Sequence, residues 1–572
     1  MNLLSNKYVC FFKALCILNL LVMHYTIIMT CDVEKPMVPV DYVDNFCFVT
    51  IEVVLLISLF TLASLGRLRI GAFLTTVVTC LWAFSNIVYS RFFFQYIPYS
   101  AFSESNSLAD PVVVRSLIDG FRWGDLYFAL SLVLAIVLYR KIPDMRLKLK
   151  SLKYCVVGIL SVILLGLASH WVLKPTFSMK AYVEDINYEL FRTWRYTCQP
   201  VYTNFQRGSM RCMAFAFIEE KFGTHKLTEE KKLEIKHEIN RLKPMQVSGH
   251  HANSEIKNVI ILLVESYMSF SVDMKIDNQE VTPFLNSLAR DSSVYYNGHM
   301  TSNIQGGESS DGQFIYMMGL LPLRCQISIT KAKRNTMPAL PAILKRQRGM
   351  QTRMVIPTAA AMWSQDAMCK AYGIEKLYSR NDYPKSHGSF LSDEQVMALA
   401  DSVDSQSSQP FFSTVLTFSM HKPYIENIDN EFTATVGVEP SEFGYYLNAC
   451  HYTDNQIKRY FDSLKAKGLY DSSLIVIVAD HHVSENQLEL PPIINERELP
   501  VFIINGGFSN DEAWHGQCNQ LDVFTTILDI LNIDSEWRGL GHTLLNPHYK
   551  NSLTEAGYNY SEWIILSDYF KN

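Results

Sequence analysis

The stretch Leu474-Ile-Val-Ile-Val-Ala479, which runs directly into Asp480 and His481, decides the fold of this chain. It is short, rich in β-branched residues and without a helical period, so it predicts a buried strand of a parallel sheet. The stretches Asn258-Val-Ile-Ile-Leu-Leu-Val264 and Phe411-Phe-Ser-Thr-Val-Leu-Thr-Phe418 have the same character. Three apolar runs of this kind indicate that a sheet forms the core of the C-terminal half.

Strands and helices are predicted to alternate between about residues 257 and 551. The predicted strands cover residues 257–264, 352–356, 411–418, 473–479 and 500–504. The predicted helices include residues 282–290, 338–346, 393–402, 443–466 and 520–531. Such alternation is typical of an α/β domain with a mainly parallel sheet that is covered by helices on both faces.

Polar residues follow the predicted strands at the points where they end. Glu265 follows the first strand, Asp480 and His481 follow the fourth, and His421 comes soon after the third. Ligands of parallel sheets bind outside the carboxyl ends of the strands, so these distant residues are expected to converge. Because Glu, Asp and His are common metal ligands, the pattern predicts a site for a divalent ion.

The first third of the chain is strongly apolar, and we interpret it as a transmembrane region of five helices. Each segment has about 20 residues, which is enough to cross ~30 Å of hydrocarbon as a helix. The predicted spans are residues 8–30, 46–65, 70–90, 123–141 and 153–174. Buried core helices and a cleaved signal peptide are the alternatives. Five such segments disfavour the first, and the lack of a convincing cleavage site disfavours the second.

Basic residues lie on one side of the predicted spans. They lie near the start of the chain, between the second and third spans, and around the connection from the fourth span to the fifth: Lys7, Lys13, Arg67, Arg69, Arg140, Lys141, Arg146, Lys148, Lys150 and Lys153. By the positive-inside rule, the N-terminus is cytoplasmic and everything after Lys174 is extracytoplasmic. We therefore expect a bacterial cytoplasmic (inner) membrane protein whose C-terminal half lies outside the cytoplasm.

The 572 residues are too many for one domain and divide into three predicted parts. These are a transmembrane domain at 1–175, a helical linker at 176–255, and an extracytoplasmic domain at 256–572. A net charge of -5 gives no general basic bias, so nucleic acid is not an expected partner. An oxidising compartment permits disulfides, with Cys198 and Cys212 the nearest pair, although free buried thiols are an equal possibility.

A second polar segment, Gly306-Gly-Glu-Ser-Ser-Asp-Gly-Gln-Phe314, places hydroxyl groups after a glycine-rich turn and before a helical run. Such a position suits a nucleophile, because backbone N–H groups at a helix N-terminus favour an anion. A metal ion at the Ser309 oxygen would lower its pKa and activate it for attack. A serine that merely caps the helix is the commoner role of such a residue.

Together, four segments resemble the lipoteichoic acid synthase-like membrane phosphotransferases of the alkaline phosphatase/sulfatase superfamily. Val264-Glu-Ser266 and Ala479-Asp-His-His482 resemble the two metal-ligand motifs of that family. Gly307-Glu-Ser-Ser-Asp-Gly-Gln-Phe314 resembles its nucleophile motif, which usually has Thr where this chain has Ser309. Ser419-Met-His-Lys-Pro-Tyr424 resembles a substrate-binding motif around His421.

The resemblance implies a set of site residues. Ser309 is the expected nucleophile, and the expected metal ligands are Glu265, Ser309, Asp480 and His481. The expected substrate-binding residues are His421, Trp363 and Gln365. The family commonly has W-x-R where this chain has Trp363-Ser-Gln365, and a second family His before that Trp has no counterpart. The chemistry is therefore better supported than the substrate.

The expected activity is transfer of a phosphoglycerol or phosphoethanolamine head group from a phospholipid donor to an envelope glycan, lipid or polymer, through a phospho-serine intermediate. Mn²⁺ suits the mixed ligand set, with Zn²⁺ or Mg²⁺ as alternatives. A phosphodiesterase or sulfatase-like hydrolase and a catalytically silent envelope scaffold are the rival functions. The segment at Ser309 lacks the C/S-x-P-x-R context of sulfatases, and a transporter is disfavoured because the spans contain few ionisable residues.

Overall fold

A computed structural model gives the fold in two compact units. One unit comprises residues 1–102 and 113–224, and the other comprises residues 103–112 and 225–572. We call them the membrane unit and the catalytic unit. The structure describes residues 7–31, 39–93, 96–97, 99, 120–141, 153, 156, 159–160, 201, 204–205, 208–222, 227–249, 255–324, 327–332, 337–360, 362, 365–383, 390–407, 410–422, 424, 441–483, 488–491, 494, 497–508, 513–567 and 569–570.

The membrane unit is built from long apolar helices. Its described helices are α1 (Lys7–Thr30), α2 (Pro39–Ala63), α3 (Leu68–Phe93), α4 (Leu126–Lys141) and α5 (Ser209–Phe222). Four segments within the described residues are long and apolar enough to cross a membrane: Cys10–Thr30, Asp41–Ala63, Leu68–Arg91 and Trp123–Lys141. They correspond to four of the five predicted spans. The predicted fifth span, 153–174, lies almost entirely outside the described residues.

Helix α5 packs on the bundle through polar contacts with two of the apolar helices. The Arg211 N–H donates to Oε1 of Glu52 in α2 at 2.9 Å. The Trp82 indole N–H in α3 donates to the Ser209 hydroxyl at 2.9 Å. Gly208 has φ +85°, and a Cβ there would lie 2.3 Å from Glu52 Oε1. Glycine therefore allows the chain to approach Glu52 at the start of α5.

The catalytic unit contains the predicted α/β elements. Its helices are α6 (Glu229–Leu242), α7 (Pro283–Ala289), α8 (Ser309–Met318), α9 (Ile329–Ala332), α10 (Leu340–Arg348), α11 (Gln365–Tyr372), α12 (Asp393–Ser405), α13 (Glu442–Ala466), α14 (Gln520–Ile530) and α15 (Glu555–Ile565). Its strands are β1 (Asn258–Val264), β2 (Lys275–Ile276), β3 (Gln279–Glu280), β4 (Tyr295–Thr301), β5 (Gln351–Val355), β6 (Lys376–Tyr378), β7 (Phe411–Leu416), β8 (Ser473–Ala479), β9 (Leu499–Ile504) and β10 (Cys518–Asn519).

Eight of these strands form one sheet in the order β10-β4-β9-β8-β1-β7-β5-β6, and β2 and β3 form a separate hairpin. Strands β8, β1, β7, β5 and β6 pair in parallel. Strand β9 is antiparallel to both of its neighbours, β4 and β8. The prediction of a mainly parallel sheet is confirmed, and the predicted strand at 500–504 is the one that runs in the opposite direction.

Strand β1 lies at the centre of the sheet and is buried along its whole length. Its last residue, Val264, pairs with Ala479 at the end of β8. On its other side, Leu263 pairs with Leu416 at the end of β7. Three parallel strands therefore end at one edge, and the polar residues that follow them leave the sheet side by side.

Helix α6, which precedes the sheet, packs on the catalytic unit. The Lys231 ammonium lies 4.7 Å from the centre of the Trp563 ring. Just beyond the helix, the Gln246 amide donates to the carbonyls of Gly539 and Gly541 at 2.8 and 3.1 Å. These contacts join part of the predicted linker to the catalytic unit.

The described cysteines of the catalytic unit are buried thiols. Cys369, Cys450 and Cys518 form no disulfide. Cys198 of the nearest predicted pair, and also Cys325, lie outside the described residues. Whether Cys198 pairs with Cys212 therefore stays a prediction.

Candidate active site

Three of the predicted metal ligands meet at the carboxyl ends of β1 and β8. Glu265, Asp480 and His481 are buried, and each offers a ligand atom within 4.8 Å of the others. His481 Nε2 lies 3.5 Å from Glu265 Oε1 and 3.7 Å from Asp480 Oδ2. The register that aligns Val264 with Ala479 brings these groups together, because Glu265 and Asp480 are the residues that follow.

Helix α8 brings the predicted nucleophile to the same place. The Ser309 Oγ lies 3.3 Å from Glu265 Oε2 and 3.1 Å from His481 Nε2. Ser309 is the first residue of α8, so the backbone N–H groups of the first turn lie beside its side chain. His481 therefore lies within hydrogen-bond or ion-pair distance of Glu265, Ser309 and Asp480, the other three residues that the sequence predicted as the metal and nucleophile set.

The turn before α8 is held by the buried carboxylate of Asp311. It accepts hydrogen bonds from the backbone N–H groups of Gln305 and Gly307 at 3.0 and 2.9 Å, and from the Ser328 hydroxyl at 3.1 Å. Burial raises the pKa of Asp311 to about 7, although these hydrogen bonds act to lower it. Asp311 thus positions the loop that carries Ser309.

Gly312 allows α8 to lie directly against the end of β8. A Cβ at this position would be 1.9 Å from the carbonyl oxygen of Asp480. That distance is far below van der Waals contact, so a side chain here would force α8 and β8 apart. The glycine of the nucleophile motif therefore fixes the separation between the nucleophile and the metal-ligand strand.

Two hydroxyl residues that sequence reasoning did not single out hold Glu265 and Asp480 in place. The Ser266 N–H donates to Asp480 Oδ1 at 2.8 Å, and its hydroxyl donates to Glu265 Oε1 at 2.9 Å. The Thr417 hydroxyl accepts the Glu265 N–H at 2.9 Å. Both residues directly follow or adjoin strand ends, and Ser266 belongs to the motif that identified Glu265. Membership of that motif was the sequence feature that could have identified Ser266.

The cluster carries more negative than positive charge. Burial raises the pKa of Glu265, but the hydrogen bond and charge of His481 outweigh it and lower that pKa. Burial and the charge of Glu265 raise the pKa of Asp480. Burial lowers the pKa of His481, but Asp480, Glu265 and Glu308 together raise it well above its usual value. Three carboxyl groups thus act on a single buried imidazole.

The residues present fit a divalent metal ion. Ligand atoms in a tetrahedral site with bonds of about 2.0–2.2 Å lie about 3.3–3.6 Å apart. The separations of His481 Nε2 from Glu265, Ser309 and Asp480 are 3.5, 3.1 and 3.7 Å, and Ser309 Oγ lies 3.3 Å from Glu265 Oε2. His481 Nδ1–H donates to the carbonyl of His482 at 2.8 Å. That bond leaves the Nε2 lone pair directed toward the cluster, as metal binding requires.

The three predicted substrate-binding residues have different positions. His421 is exposed, stacks on Phe418 with ring centres 4.6 Å apart, and donates Nδ1–H to the Lys422 carbonyl at 2.7 Å. The charge of His421 acts to lower the pKa of Glu265, so this exposed imidazole is near enough to influence the cluster. Gln365 is buried at the start of α11, and no described residue bonds to its Oε1. Trp363 lies outside the described residues.

Comparison with known proteins shows which families this chain resembles. The family model described as Sulfatase matches residues 257–533. Lipoteichoic acid synthase 2 of Bacillus subtilis (strain 168) is 27% identical over 495 residues, which cover 79% of this chain and 70% of that protein. Lipoteichoic acid synthase of Staphylococcus aureus (strain USA300) is 24% identical over 542 residues, which cover 87% of this chain and 79% of that protein.

A solved structure shares the fold across most of the chain. It is the integral membrane protein lipooligosaccharide phosphoethanolamine transferase A from Neisseria meningitidis, with a TM-score of 0.50 and 14% identity. The match covers 92% of this chain and 96% of that one. The resemblance predicted from the motifs is confirmed, and the similarities support a phosphotransferase of the sulfatase-like superfamily with an N-terminal membrane region.

Proposed function

We propose that this protein is a metal-dependent transferase that moves a phosphoglycerol or phosphoethanolamine head group from a phospholipid to a cell-envelope acceptor. The observation that carries the proposal is the position of the Ser309 oxygen. It lies 3.1–3.3 Å from the ligand atoms of His481 and Glu265, in a sulfatase-family sheet. The acceptor is a hydroxyl group of an envelope glycan, lipid or polymer.

The first half-reaction forms a phospho-serine. A bound divalent ion supplies positive charge that favours ionised Ser309 and offsets charge on the phosphoryl oxygens. Ser309 Oγ attacks phosphorus, and the bond from phosphorus to the diacylglycerol oxygen breaks. His421 is exposed and near enough to influence the cluster, and it donates the proton that the departing oxygen needs. Diacylglycerol leaves, and the head group stays on Ser309 as a phosphodiester.

The second half-reaction returns the enzyme to its starting state. An acceptor hydroxyl attacks the same phosphorus, and the bond from phosphorus to Ser309 Oγ breaks. His421 takes the proton of the acceptor hydroxyl, which restores the proton that it gave in the first step. Because diacylglycerol leaves before the acceptor attacks the phosphorus on Ser309, the scheme predicts ping-pong kinetics.

Glu265, Asp480 and His481 are the proposed metal ligands together with Ser309. Two carboxylates balance the charge of a divalent ion, and a mixed oxygen and imidazole set suits Mn²⁺, with Zn²⁺ and Mg²⁺ as alternatives. Ser266 holds both carboxylates in place, and Thr417 fixes the backbone of Glu265, through the bonds described above. Such supporting contacts are common in metal sites and tune the ligands.

The membrane unit fits a lipid donor. Four apolar helices support an integral, inner-membrane protein. We infer from the basic residues of the loops that the catalytic unit is extracytoplasmic in a bacterial cytoplasmic membrane. A site tethered there meets phospholipid head groups directly, and the diacylglycerol product stays in the bilayer.

The test is diacylglycerol release by the purified full-length protein with Mn²⁺, from vesicles that contain labelled phosphatidylglycerol or phosphatidylethanolamine. We expect release from at least one lipid, a loss of at least about 10³-fold in Ser309→Ala, and full activity in Ser287→Ala. Ser287 is exposed on α7 and donates only to the Phe284 carbonyl, so it is a matched control.

Two results would contradict the proposal. Release that persists in Ser309→Ala excludes this serine as the nucleophile. No release from either lipid, with metal shown to be bound, excludes both donors. If diacylglycerol is released but the head group appears only as a free phosphomonoester in the presence of candidate acceptors, the activity is that of a phosphodiesterase.

A further inference from the structure

Glu308, the residue before the proposed nucleophile, has a carboxylate with little to bind it. Its Oε2 lies 3.8 Å from Nδ1 of His481, and its side chain is 22% exposed. That imidazole nitrogen already donates to the His482 carbonyl. Among the contacts of the described residues, nothing donates a hydrogen bond to Glu308. A mostly buried carboxylate in this state is under-solvated and favours a cationic partner.

The backbone at Glu308 is held in an unusual conformation. Its φ is 46° and its ψ is -125°, a region that suits glycine and not a residue with a Cβ. Two glycines, Gly306 and Gly307, come immediately before it, yet the position itself carries a glutamate. Strain of this kind is found at functional sites, where the surrounding structure maintains it. The strained backbone therefore indicates a functional role for the side chain.

The position of Glu308 relative to the nucleophile limits that role. Ser309 Oγ is 3.1 Å from Nε2 of His481, whereas Glu308 is near Nδ1 of the same ring. The two groups are therefore separated by the width of one imidazole. Glu308 also interacts electrostatically with the exposed His421. A phosphoryl group on Ser309 would place its substituent, a few bonds away, within reach of this carboxylate.

The charge around Glu308 determines which head group on the phosphoryl group is bound favourably. Glu265 and Asp480 balance a divalent ion, which leaves Glu308 as an additional negative charge beside an anionic phosphodiester. The resembling family commonly has an arginine where this chain has the neutral Gln365. A head group that is only anionic meets repulsion here. A head group with an ammonium forms a charge-assisted hydrogen bond with Glu308, which is stronger than one from a neutral hydroxyl.

We propose that Glu308 determines donor specificity by binding the ammonium of a phosphoethanolamine group, so that the donor is an aminophospholipid. This inference rests on the proposed function and names its substrate class. Phosphatidylethanolamine is then preferred over phosphatidylglycerol. The glycerol group of the latter offers hydroxyl donors but no positive charge to pair with Glu308.

The experiment measures diacylglycerol release by the full-length protein from phosphatidylcholine vesicles that contain phosphatidylethanolamine or phosphatidylglycerol. Wild type is expected to prefer phosphatidylethanolamine by about tenfold or more. Glu308→Gln is expected to lower release from phosphatidylethanolamine about 10- to 100-fold and to change release from phosphatidylglycerol by less than about threefold. Glu394→Gln, an exposed glutamate of α12 near Arg459, is the matched control.

A binding measurement separates recognition from chemistry. Calorimetry of the metal-loaded protein with sn-glycero-3-phosphoethanolamine and sn-glycero-3-phosphoglycerol should show weaker binding of only the first in Glu308→Gln. The metal content of each variant is measured in parallel. A loss of metal in Glu308→Gln would make Glu308 a support for His481 and would overturn the inference.

The outcomes distinguish this inference from the proposed function. A wild-type preference for phosphatidylglycerol, or an unchanged donor ratio in Glu308→Gln, overturns the role of Glu308 while the transferase remains. Release from neither lipid, with metal bound, overturns both. A donor ratio that falls toward one in Glu308→Gln, with metal retained, supports the inference.

Discussion

Both units of this molecule bury carboxylates, but they treat the charge in different ways. In the membrane unit, Asp125 accepts two hydrogen bonds from the Arg91 guanidinium at 2.7 and 2.8 Å, and another from the Arg122 N–H. In the catalytic unit, Asp480 faces Glu265 and a single imidazole, that of His481. The first carboxylate is neutralised within the chain. The second belongs to a cluster with an unbalanced negative charge.

The contrast separates a structural charge from a functional one. A buried ion pair that is complete stabilises its surroundings only slightly, but breaking it is costly. A buried cluster of like charges is unfavourable until a cation binds, and such clusters mark functional sites. The comparison therefore predicts that neutralising each aspartate has an opposite effect on stability.

The largest expected effect comes from the pair Asp125→Asn and Asp480→Asn. Asp125→Asn leaves the Arg91 charge without its partner and should destabilise the membrane unit by about 3 kcal/mol. Asp480→Asn removes like-charge repulsion and should stabilise the metal-free catalytic unit by on the order of 1 kcal/mol. The Asn side chain can still accept the Ser266 N–H. Thermal unfolding of the detergent-solubilised protein at pH 8 measures both changes.

The sign follows from the raised pKa of Asp480. Its carboxyl group binds a proton more tightly in the folded than in the unfolded state. Folding therefore becomes less favourable as pH rises from the ordinary pKa of an aspartate, about 4, to the raised pKa of Asp480, about 7. Added Mn²⁺ should increase the free energy of unfolding of wild type by about 2.7 kcal/mol at a metal concentration of 100 Kd, and its unfolding temperature should rise accordingly. Mn²⁺ should not raise the unfolding temperature of Asp480→Asn. A stabilising response to Mn²⁺ in both proteins would contradict a metal role for Asp480.

A pair of glycines gives the next largest effect. Gly312→Ala forces a Cβ against the Asp480 carbonyl, and Gly208→Ala forces one against the Glu52 carboxylate. We expect Gly312→Ala to lower diacylglycerol release about 100-fold, because small displacements of a nucleophile are costly. Gly208→Ala should destabilise the membrane unit by about 1–2 kcal/mol and leave Mn²⁺ affinity unchanged. Full activity in Gly312→Ala would show that α8 and β8 can separate without loss.

The smallest predicted effect is a proton released on metal binding. The pKa of His481 is well above its usual value in the metal-free protein because the carboxylates outweigh burial, so the imidazole is protonated at neutral pH. A metal ion needs the unprotonated Nε2 and should displace at least one proton near pH 7. Metal affinity should therefore increase as pH rises. Calorimetry in buffers of different ionisation enthalpy measures the proton, and an enthalpy independent of buffer would contradict it.

The sequence predicts the sheet and the residues at its strand ends because the physics there is local. A run such as 474–479 is apolar on both faces, and the polar residues after it must lie at the sheet edge. The direction of β9 was not predictable in this way, because the run at 500–504 is equally apolar in a strand of either direction. Strand β4 was not predicted, because its sequence Tyr-Tyr-Asn-Gly-His-Met-Thr lacks an apolar run.

The contacts that the sequence could not predict are those that depend on tertiary register. Thr417 reaches the Glu265 N–H only because β7 and β1 are neighbours, and nothing in its local sequence indicates that contact. The docking of Arg211 on Glu52 joins residues 159 positions apart. The positive φ of Glu308 was equally hidden, since a glutamate gives no sign of it. The substrate roles of His421, Gln365 and Trp363 stay predictions.

The most direct test of the central claim is the covalent state of Ser309. The full-length protein is incubated with Mn²⁺ and a donor lipid whose head group and acyl chains carry different isotopes, without acceptor, and its peptides are analysed by mass spectrometry. We expect a phosphodiester on Ser309 that retains the head-group label and lacks the acyl label. Release of diacylglycerol with an unmodified Ser309, or with the label on another residue, would contradict it.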